Sequence, residues 1–199
     1  MGSGKNGTFD IHPDFNQWAI MVFWRGNNPI AEEKLVQEYN LLLGKFITEW
    51  LKIFKTKISI FHLEPYSGHG TWDGENFIDQ EIRKTDPEGK IGVLTRATIR
   101  LSRLLEFWKA VPGPAENLEK NKGFLYSIGI GEIPFVKQAT FSIWESAEDM
   151  KNFAYKKNAH KEVIRNTRRQ GWYSEEMFLR FLIHGEIHQK GMGKLSTIR

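Results

Sequence analysis

The second half of the chain is most constrained by the order in which strand-like and helix-like segments alternate. Runs rich in β-branched and aromatic residues, which are typical of strands, lie at 92–100, 124–130, 138–144 and 177–183. Apolar residues spaced three and four apart, which are typical of helices, fill 101–111 and 147–169. The order β-α-β-β-α-β predicts a ferredoxin-like unit, in which two helices cover one face of a four-stranded antiparallel sheet. The predicted fold class is therefore α+β.

The first part of the chain resembles the back half of that unit. The run from Gln17 to Trp24 is similar to the run from Gln138 to Trp144, and each precedes a helical pattern, a tryptophan and an apolar strand. Its strands are predicted at 17–24 and 57–63, and its helix at 31–54. We therefore predict an incomplete N-terminal ferredoxin-like repeat over 1–65, a connecting loop over 66–90 and a complete ferredoxin-like unit over 91–190.

Composition removes several classes of protein. Cysteine is absent from the 199 residues, which excludes disulfides, zinc-thiolate and iron–sulfur centres and a thiolate ligand for haem. Hydrophobic residues make up 40% and aromatic residues 13%, which is enough to build a core. The formal net charge of +4 is too small to indicate nucleic-acid binding by itself. The sequence shows neither a secretion signal nor a membrane-spanning apolar run, so we expect a soluble, cytoplasmic protein.

Six histidines are the neutral-pH ligands and bases of the chain, and four of them have ordinary interpretations. His184 and His188 have a zinc-like spacing, but their segment has the pattern of a strand and its frayed end. His62 and His69 flank a Pro-Tyr-Ser-Gly turn pattern and are interpreted as loop residues.

His160 differs, because the predicted helix places it on an apolar face. That face also carries Phe153, Ala159, Val163 and Ile164. An imidazole in such surroundings is either a core histidine that hydrogen-bonds a carbonyl group or a ligand of a metal or cofactor. The residues alone leave both interpretations open.

Several separated segments, in the same order, resemble the spheroidene monooxygenase family of carotenoid biosynthesis. The segments are Ile91 to Arg100, Phe107-Trp108 with Val111-Pro112, Ile128 to Pro134, Gln138 to Trp144 and Gly171 to Phe181, with weaker likeness at Gly2 to Gly4, Trp18 to Trp24 and Gly70 to Trp72. The resemblance implies an oxidoreductase containing haem b, which uses O₂ and an electron donor to introduce a keto group into a carotenoid or a similar long apolar substrate. Members of that family have a further strand, helix and strand before the segment that matches Gly2 to Gly4.

The segment from Ser142 to Val163 is also similar to the haem-degrading monooxygenases of the dimeric α+β-barrel group. In that group a histidine of an Ala-His-Lys-like segment is the proximal ligand of the haem iron, and the matching residue here is His160. This likeness implies a catalytic, metal-ligating role for His160, and a homodimer. Those enzymes carry a tryptophan, associated with bending the macrocycle, where this chain has Phe153. The difference implies that haem itself is not degraded.

Together the resemblances imply that haem lies between the helix of His160 and an open sheet face. The aromatic residues expected to wall this pocket are Phe107, Trp108, Phe141, Phe153 and Trp172. The arginines expected to pair with the haem propionates through parallel hydrogen bonds are Arg96, Arg100 and Arg165. Ordinary surface charge is the alternative interpretation of each arginine.

Two other functions stay open, because a scaffold does not fix a reaction. One is a haem enzyme of peroxidase-like or dehydratase-like chemistry, and the other is a non-catalytic haem-binding relative. The basic residues from Lys156 to Arg169 lack interleaved aromatic residues and are not expected to bind nucleic acid. They are suited to peripheral contact with anionic lipid, which would bring a soluble enzyme to a membrane-dissolved substrate.

Overall fold

A computed structural model of the chain describes residues 1–3, 11–23, 32–76, 85–110, 121–156, 171–189 and 196–197. The chain divides into two compact units. The larger unit consists of Met1–Val22 and Pro65–Leu182, and the smaller of Phe23–Glu64 and Ile183–Arg199. These units are defined by which residues pack together. The predicted division into 1–65, 66–90 and 91–190 is based on the proposed repeat, and it stays a prediction.

The helices and strands alternate as expected in the second half of the chain. In chain order they are β1 (Gly2–Ser3), β2 (Pro13–Asp14), α1 (Glu32–Ile53), β3 (Ile58–Gly70), β4 (Ile91–Ile99), α2 (Leu104–Ala110), β5 (Phe124–Ile133), β6 (Lys137–Trp144), α3 (Ala147–Lys156), β7 (Tyr173–Gln189) and β8 (Ser196–Thr197). A short 3-10 helix, Leu101–Arg103, precedes α2. The part of the predicted second helix beyond Lys156 lies outside the described residues.

An antiparallel sheet forms the base of the larger unit. Its strands are hydrogen-bonded in the order β2-β1-β5-β6-β4-β7, and β4 pairs with both β6 and β7. The order β5-β6-β4-β7 is that of a ferredoxin-like unit, in which the first and third strands form the central pair. The predicted α+β, ferredoxin-like fold is therefore confirmed. The N-terminal repeat and the dimer stay predictions.

The predicted strand at 17–24 is wrong over its described residues, 17–23, which form no strand. The Asp14 carboxylate accepts hydrogen bonds from the backbone N–H of Asn16 (2.9 Å) and from the Gln17 side chain (3.0 Å), which closes a turn. Trp18 and Ile20 are 73% and 69% exposed. An apolar alternation forms a strand only where a neighbouring strand pairs with it and buries one face, and here the turn chemistry of Asp14 prevails.

Strand β3 extends beyond its predicted end and enters the predicted 66–90 loop, ending at Gly70. The residues Pro65 and Gly68 favour turns, which is why the sequence suggested a loop. Proline is tolerated in a strand at the edge of a sheet, because its missing N–H is not needed there, and β3 is an edge strand. Strand β7 is also longer than the predicted 177–183.

Two apolar clusters attach helices to one face of the larger unit's sheet. The first joins Ile91 of β4 and Trp144 of β6 to Met150 of α3. The second joins Ile99, at the other end of β4, to Phe107 of α2. Burial of such side chains is the main stabilising contribution to a domain of this size. The helix-covered side is called the helix-side face below.

Helix α3 begins where the sequence predicts it. The Ser146 hydroxyl accepts a hydrogen bond from the Asp149 backbone N–H at 3.1 Å and donates to the Asp149 carboxylate at 2.7 Å. This is a helix N-cap, and Glu148 and Asp149 place negative charge at the positive end of the helix dipole. The cap fixes the direction in which α3 leaves the end of β6.

Gly70 and Gly74 both adopt positive φ angles but differ in the space around them. The φ angle is +90° at Gly70 and +82° at Gly74. A Cβ on Gly70 would lie 2.0 Å from the backbone oxygen of Glu176, whereas a Cβ on Gly74 would meet nothing within 4 Å. We expect Gly70→Ala to lower the free energy of unfolding by about 3 kcal/mol and Gly74→Ala by about 1 kcal/mol. Urea unfolding measures both, and equal losses would contradict the close approach at Gly70.

The smaller unit contains α1, the first residues of β3, the last residues of β7, and β8, which pairs with β7. Helix α1 is interrupted at Gly44, where φ is 71° and ψ is 162°. The Thr48 hydroxyl donates to the backbone oxygens of Gly44 (3.0 Å) and Lys45 (2.9 Å) in the following turn. No helix in the described part of the chain is long and apolar enough to cross a membrane.

Candidate active site

The middle of the helix-side face contains an exposed residue, Thr95 of β4. Residues directly opposite each other in antiparallel strands point to the same face. Thr95 of β4 lies opposite Thr140 of β6 and Phe178 of β7, and Thr140 lies opposite Gly129 of β5. Thr95 is exposed although β4 has a strand on either side. These four residues form a strip across the sheet in which Thr95 is exposed, Thr140 and Phe178 are half-buried and Gly129 is buried. The strip is called the central hollow below.

Apolar clusters bound the central hollow at both ends. Alternate residues of β4 share a face, so Val93, Thr95 and Ile99 all point to the helix side. Val93 belongs to the cluster of α3 and Ile99 to the cluster of α2. At about 3.3 Å per residue, Thr95 lies about 7 Å along the strand from Val93 and about 13 Å from Ile99. Small or hydroxyl side chains between apolar walls suit an elongated or flat apolar molecule.

The predicted aromatic wall is divided among three places. Phe107 meets Trp108 and Trp172 edge to face, with ring centroids 5.1 and 6.1 Å apart, at the α2 end. Phe153 packs in the cluster of α3 at the other end. Phe141 follows Thr140 directly in β6 and therefore points to the opposite face. Four of the five predicted aromatic residues thus flank the helix-side face, and Phe141 does not share it.

Gln138 contributes a buried polar group near the α2 end of the central hollow, and sequence reasoning did not single it out. Its side chain is 4% exposed, its Nε2 donates to the Ile133 backbone oxygen at 3.3 Å, and its Oε1 has no hydrogen-bond partner among the described residues. Gln138 also lines a small cavity with Trp108 and Gly131. Because an unpaired buried amide oxygen is costly, it marks a place where a bound molecule or water would donate a hydrogen bond.

His69 is a second residue that the sequence interpretation missed. It was expected in a loop, but it lies in β3 and stacks on Phe178, with ring centroids 5.6 Å apart and an interplanar angle of 27°. Phe178 is part of the central hollow, so the exposed imidazole of His69 lies beside that strip. The turn-like residues before it conceal the strand in the sequence.

Arg96 points to the opposite face and is enclosed by three carboxylates. Its side chain is 1% exposed. Nε and Nη2 donate to Glu132 at 3.1 and 2.9 Å, Nη1 donates to Glu175 at 2.8 Å, and Nη2 donates to Asp73 at 3.0 Å. The Trp72 ring lies 4.7 Å from the guanidinium carbon. All three guanidinium nitrogens of Arg96 therefore already donate to protein carboxylates. A contact between Arg96 and a haem propionate stays a prediction.

The same network lowers the pKa of two of its carboxyl groups, Glu175 and Asp73. Burial raises the pKa of Glu175, but hydrogen bonds from the Gly74 backbone N–H, from a threonine hydroxyl and from Arg96 outweigh it and lower the pKa to about 2. The hydrogen bond from Lys137, 2.6 Å long, lowers the pKa of Asp73. Two cations and three carboxylates thus join four separate segments of the larger unit, around residues 73, 96, 132–137 and 175.

Three further residues are predicted to contact the cofactor, and the structure describes one of them, Arg100. Arg100 is exposed, and its Nε donates to the backbone oxygen of Tyr173 at 3.1 Å. His160 and Arg165 lie outside the described residues, and their roles stay predictions. In the chain, His160 follows Lys156, the described end of α3, by four residues.

The histidines of the smaller unit have protein partners. His184 hydrogen-bonds Glu64, and the His62 and His184 rings lie 5.4 Å apart. His62 lies in β3, so it is a strand residue rather than the loop residue that we expected. The His188 Nδ1 lies 2.8 Å from the Ser59 hydroxyl. Burial, and then the neighbouring His184, lower the pKa of His62. Within the described ranges, no group of three or more histidine, aspartate or glutamate side chains is arranged to hold a metal ion.

Comparison with known proteins gives three curated matches over nearly the whole chain. All are named spheroidene monooxygenase. The protein of Rhodobacter capsulatus is 31% identical over 185 residues, which are 92% of this chain and 73% of the relative. The protein of Cereibacter sphaeroides is 31% identical over 191 residues, which are 94% of this chain and 55% of the relative. The protein of Rubrivivax gelatinosus is 31% identical over 189 residues, which are 92% of this chain and 66% of the relative. No protein-family profile matches the chain.

Solved structures show weaker similarity. A candidate monooxygenase of Fusobacterium nucleatum has a TM-score of 0.47 at 10% identity, over 82% of this chain and 70% of its own. A candidate antibiotic biosynthesis monooxygenase of Nitrosomonas europaea has a TM-score of 0.38 at 9% identity, over 55% of this chain and 97% of its own. These values are too low to support an argument, and the fold assignment depends on the strand order itself.

The sequence relatives and the ferredoxin-like sheet define the class of the protein as an α+β oxidoreductase. More specifically, the chain belongs to the spheroidene monooxygenase family. It spans 73% of one relative and 55% and 66% of the other two.

Proposed function

We propose that the protein is a haem-dependent monooxygenase, which uses O₂ and a reductant to introduce a keto group into a carotenoid or a similar long apolar molecule. The observation that supports this most is the central hollow around the exposed Thr95, a strip between two apolar clusters. It occurs in a chain 31% identical to proteins named spheroidene monooxygenase. A conjugated hydrocarbon chain needs such an extended apolar surface, because it offers few groups for hydrogen bonding.

The residues of the helix-side face fit a flat apolar cofactor. Gly129, Thr140 and Thr95 have small side chains, and Thr95 is exposed. Gly131 lies close to Gln138, since a Cβ there would come 3.4 Å from Gln138 Nε2. His160 is proposed to ligate the haem iron, since the chain offers no thiolate. When bound, haem would supply the activation of O₂ that oxidation of a C–H bond requires.

The protein's own contribution is then binding, orientation and exclusion of water. The edge-to-face group of Phe107, Trp108 and Trp172 closes one end of the hollow with apolar surface. Phe153 does the same at the other end. Gln138 Oε1, which is unpaired among the described residues, is placed to accept a hydrogen bond from a polar group that enters this face. Excluding bulk water strengthens such a contact and limits side reactions.

Filling the hollow tests the proposal. We expect Thr95→Trp to lower conversion of spheroidene to its ketone by at least about hundredfold, because the indole would occupy the space of the cofactor or substrate. Thr95→Val is the matched control, since it removes the hydroxyl but keeps the volume, and it should stay within about threefold of the wild type. Conversion is measured by mass spectrometry and folding by circular dichroism. A folded Thr95→Trp protein that converts spheroidene normally would place the reaction elsewhere.

A further inference from the structure

Helix α1 of the smaller unit carries an exposed apolar stripe. Phe46 is 83% exposed, Trp50 is 50% exposed, Ile53 is 73% exposed and Phe54 is 63% exposed. The spacings of three, four and seven residues place Phe46, Trp50 and Ile53 on one side of the helix. Phe54 follows the helix end directly, and its backbone N–H donates to the Trp50 oxygen at 3.2 Å. The rings of Trp50 and Phe54 lie together, with centroids 4.6 Å apart. These four residues are called the α1 stripe below.

Lysines predominate among the charged residues along the C-terminal half of α1 and the residues after it. Between residues 41 and 57 the chain has four lysines and one acidic residue, and the lysines are exposed: Lys45, Lys52, Lys55 and Lys57. The acidic residue, Glu49, pairs with Lys52 at 2.7 Å. The segment therefore has a formal net charge of +3, from four positive charges and one negative charge. The stripe residue Trp50 lies next to Glu49 in the sequence, within this basic segment.

We propose that the α1 stripe is a docking surface for an anionic lipid membrane. Aromatic and aliphatic side chains on one side of a helix, with lysines along its border, are the chemistry that inserts into the boundary between headgroups and acyl chains. Charge complementarity favours anionic lipid over a second copy of the chain. An antiparallel symmetric copy centred on Trp50 would place Lys45 near Lys55 of that copy, and like charges repel. The contact is peripheral and involves no spanning segment.

Vesicle binding of the full-length protein tests this proposal without substrate or haem. Vesicles of phosphatidylcholine with phosphatidylglycerol should bind the protein, and vesicles of phosphatidylcholine alone should bind it much less. We expect the Phe46→Ser, Ile53→Ser double variant to bind the anionic vesicles at least about tenfold more weakly. The Lys45→Gln, Lys55→Gln double variant should lose about fivefold per lysine. Raising the salt concentration should weaken wild-type binding, because screening acts on the lysines.

Two controls separate this contact from general stickiness and from self-association. Leu105, in α2 of the larger unit, is 78% exposed, so Leu105→Ser removes exposed apolar surface outside the stripe and should leave vesicle binding unchanged. Equal loss in Leu105→Ser and in the stripe variant would overturn the proposal. So would a wild-type protein that ignores anionic vesicles but forms dimers that the stripe variant abolishes in light scattering. These results do not depend on the proposed reaction, which is measured separately.

Discussion

Arg96→Met is expected to lower the free energy of unfolding by about 3 kcal/mol. The substitution removes the cation that Glu132, Glu175 and Asp73 share, and it leaves the least exposed of them, Glu175, beside an apolar side chain. Loss of one partner of a buried ion pair costs about 3–5 kcal/mol. The lower end applies because Asp73 and Glu132 are 50% and 38% exposed and water can solvate them. Urea unfolding followed by circular dichroism measures the loss.

The matched control is Arg100→Met, one residue beyond the end of the same strand. Arg100 is exposed and donates to one backbone oxygen, that of Tyr173, so its loss should cost less than about 1 kcal/mol. Arg96→Lys should be intermediate, because an ammonium group keeps the charge but cannot reproduce the fork of parallel hydrogen bonds. If Arg96→Met and Arg100→Met cost the same, the carboxylate network would not be structural.

The network also predicts how stability depends on acid. The pKa of Glu175 is lowered to about 2 in the folded protein, from an ordinary value of 4.5. A carboxyl group with a lowered folded pKa stabilises the protein fully above its unfolded pKa, and this contribution disappears as the pH falls toward the folded pKa. We therefore expect stability from Glu175 to decline between about pH 4.5 and pH 2. Arg96→Met should unfold at higher pH than the wild type.

His160→Gly is expected to abolish haem binding and to lower carotenoid conversion by at least about hundredfold. Even a residue that only supports a ligand costs about 10–100-fold when it is changed, and His160 is proposed as the ligand itself. Soret absorption of the protein after reconstitution with haem measures binding. Added imidazole should restore the Soret absorption of His160→Gly, because it can occupy the space of the missing side chain.

The control for this variant is His188→Ala. His188 has a protein partner in the smaller unit, Ser59, and it should be dispensable for haem binding. If both variants kept their Soret absorption and the wild-type rate, the assignment of His160 would be wrong. Loss of absorption in both would indicate nonspecific binding of haem to surface histidines.

The order of strands and helices in the larger unit is predictable because each element carries its own pattern. Strands β4 to β7 alternate or concentrate β-branched and aromatic residues, and Ser146 with Asp149 gives α3 a recognisable start. The face of Phe141 could also have been predicted, since it follows Thr140 directly in a strand and successive side chains point to opposite faces. Local pattern is therefore sufficient for the scaffold.

Long-range contacts explain most of what the sequence did not predict. The sequence around Arg96 does not indicate a buried ion-pair network, because the partners Asp73, Glu132 and Glu175 are distant in the chain. The strand expected at 17–24 is wrong over residues 17–23, where the turn closed by Asp14 prevails. His69 is concealed by turn-forming residues in an edge strand. The Arg96 network and the strand position of His69 depend on which segments meet, and a periodic pattern carries no such information.

The most direct test of the central claim is aerobic incubation of the haem-reconstituted full chain with spheroidene and a reductant, followed by mass spectrometry. The account predicts a product that has gained one oxygen and lost two hydrogens, formed by the wild type and by Thr95→Val but not by Thr95→Trp or His160→Gly. A folded chain that shows no Soret absorption after reconstitution, or that carries haem and returns spheroidene unchanged, would contradict it.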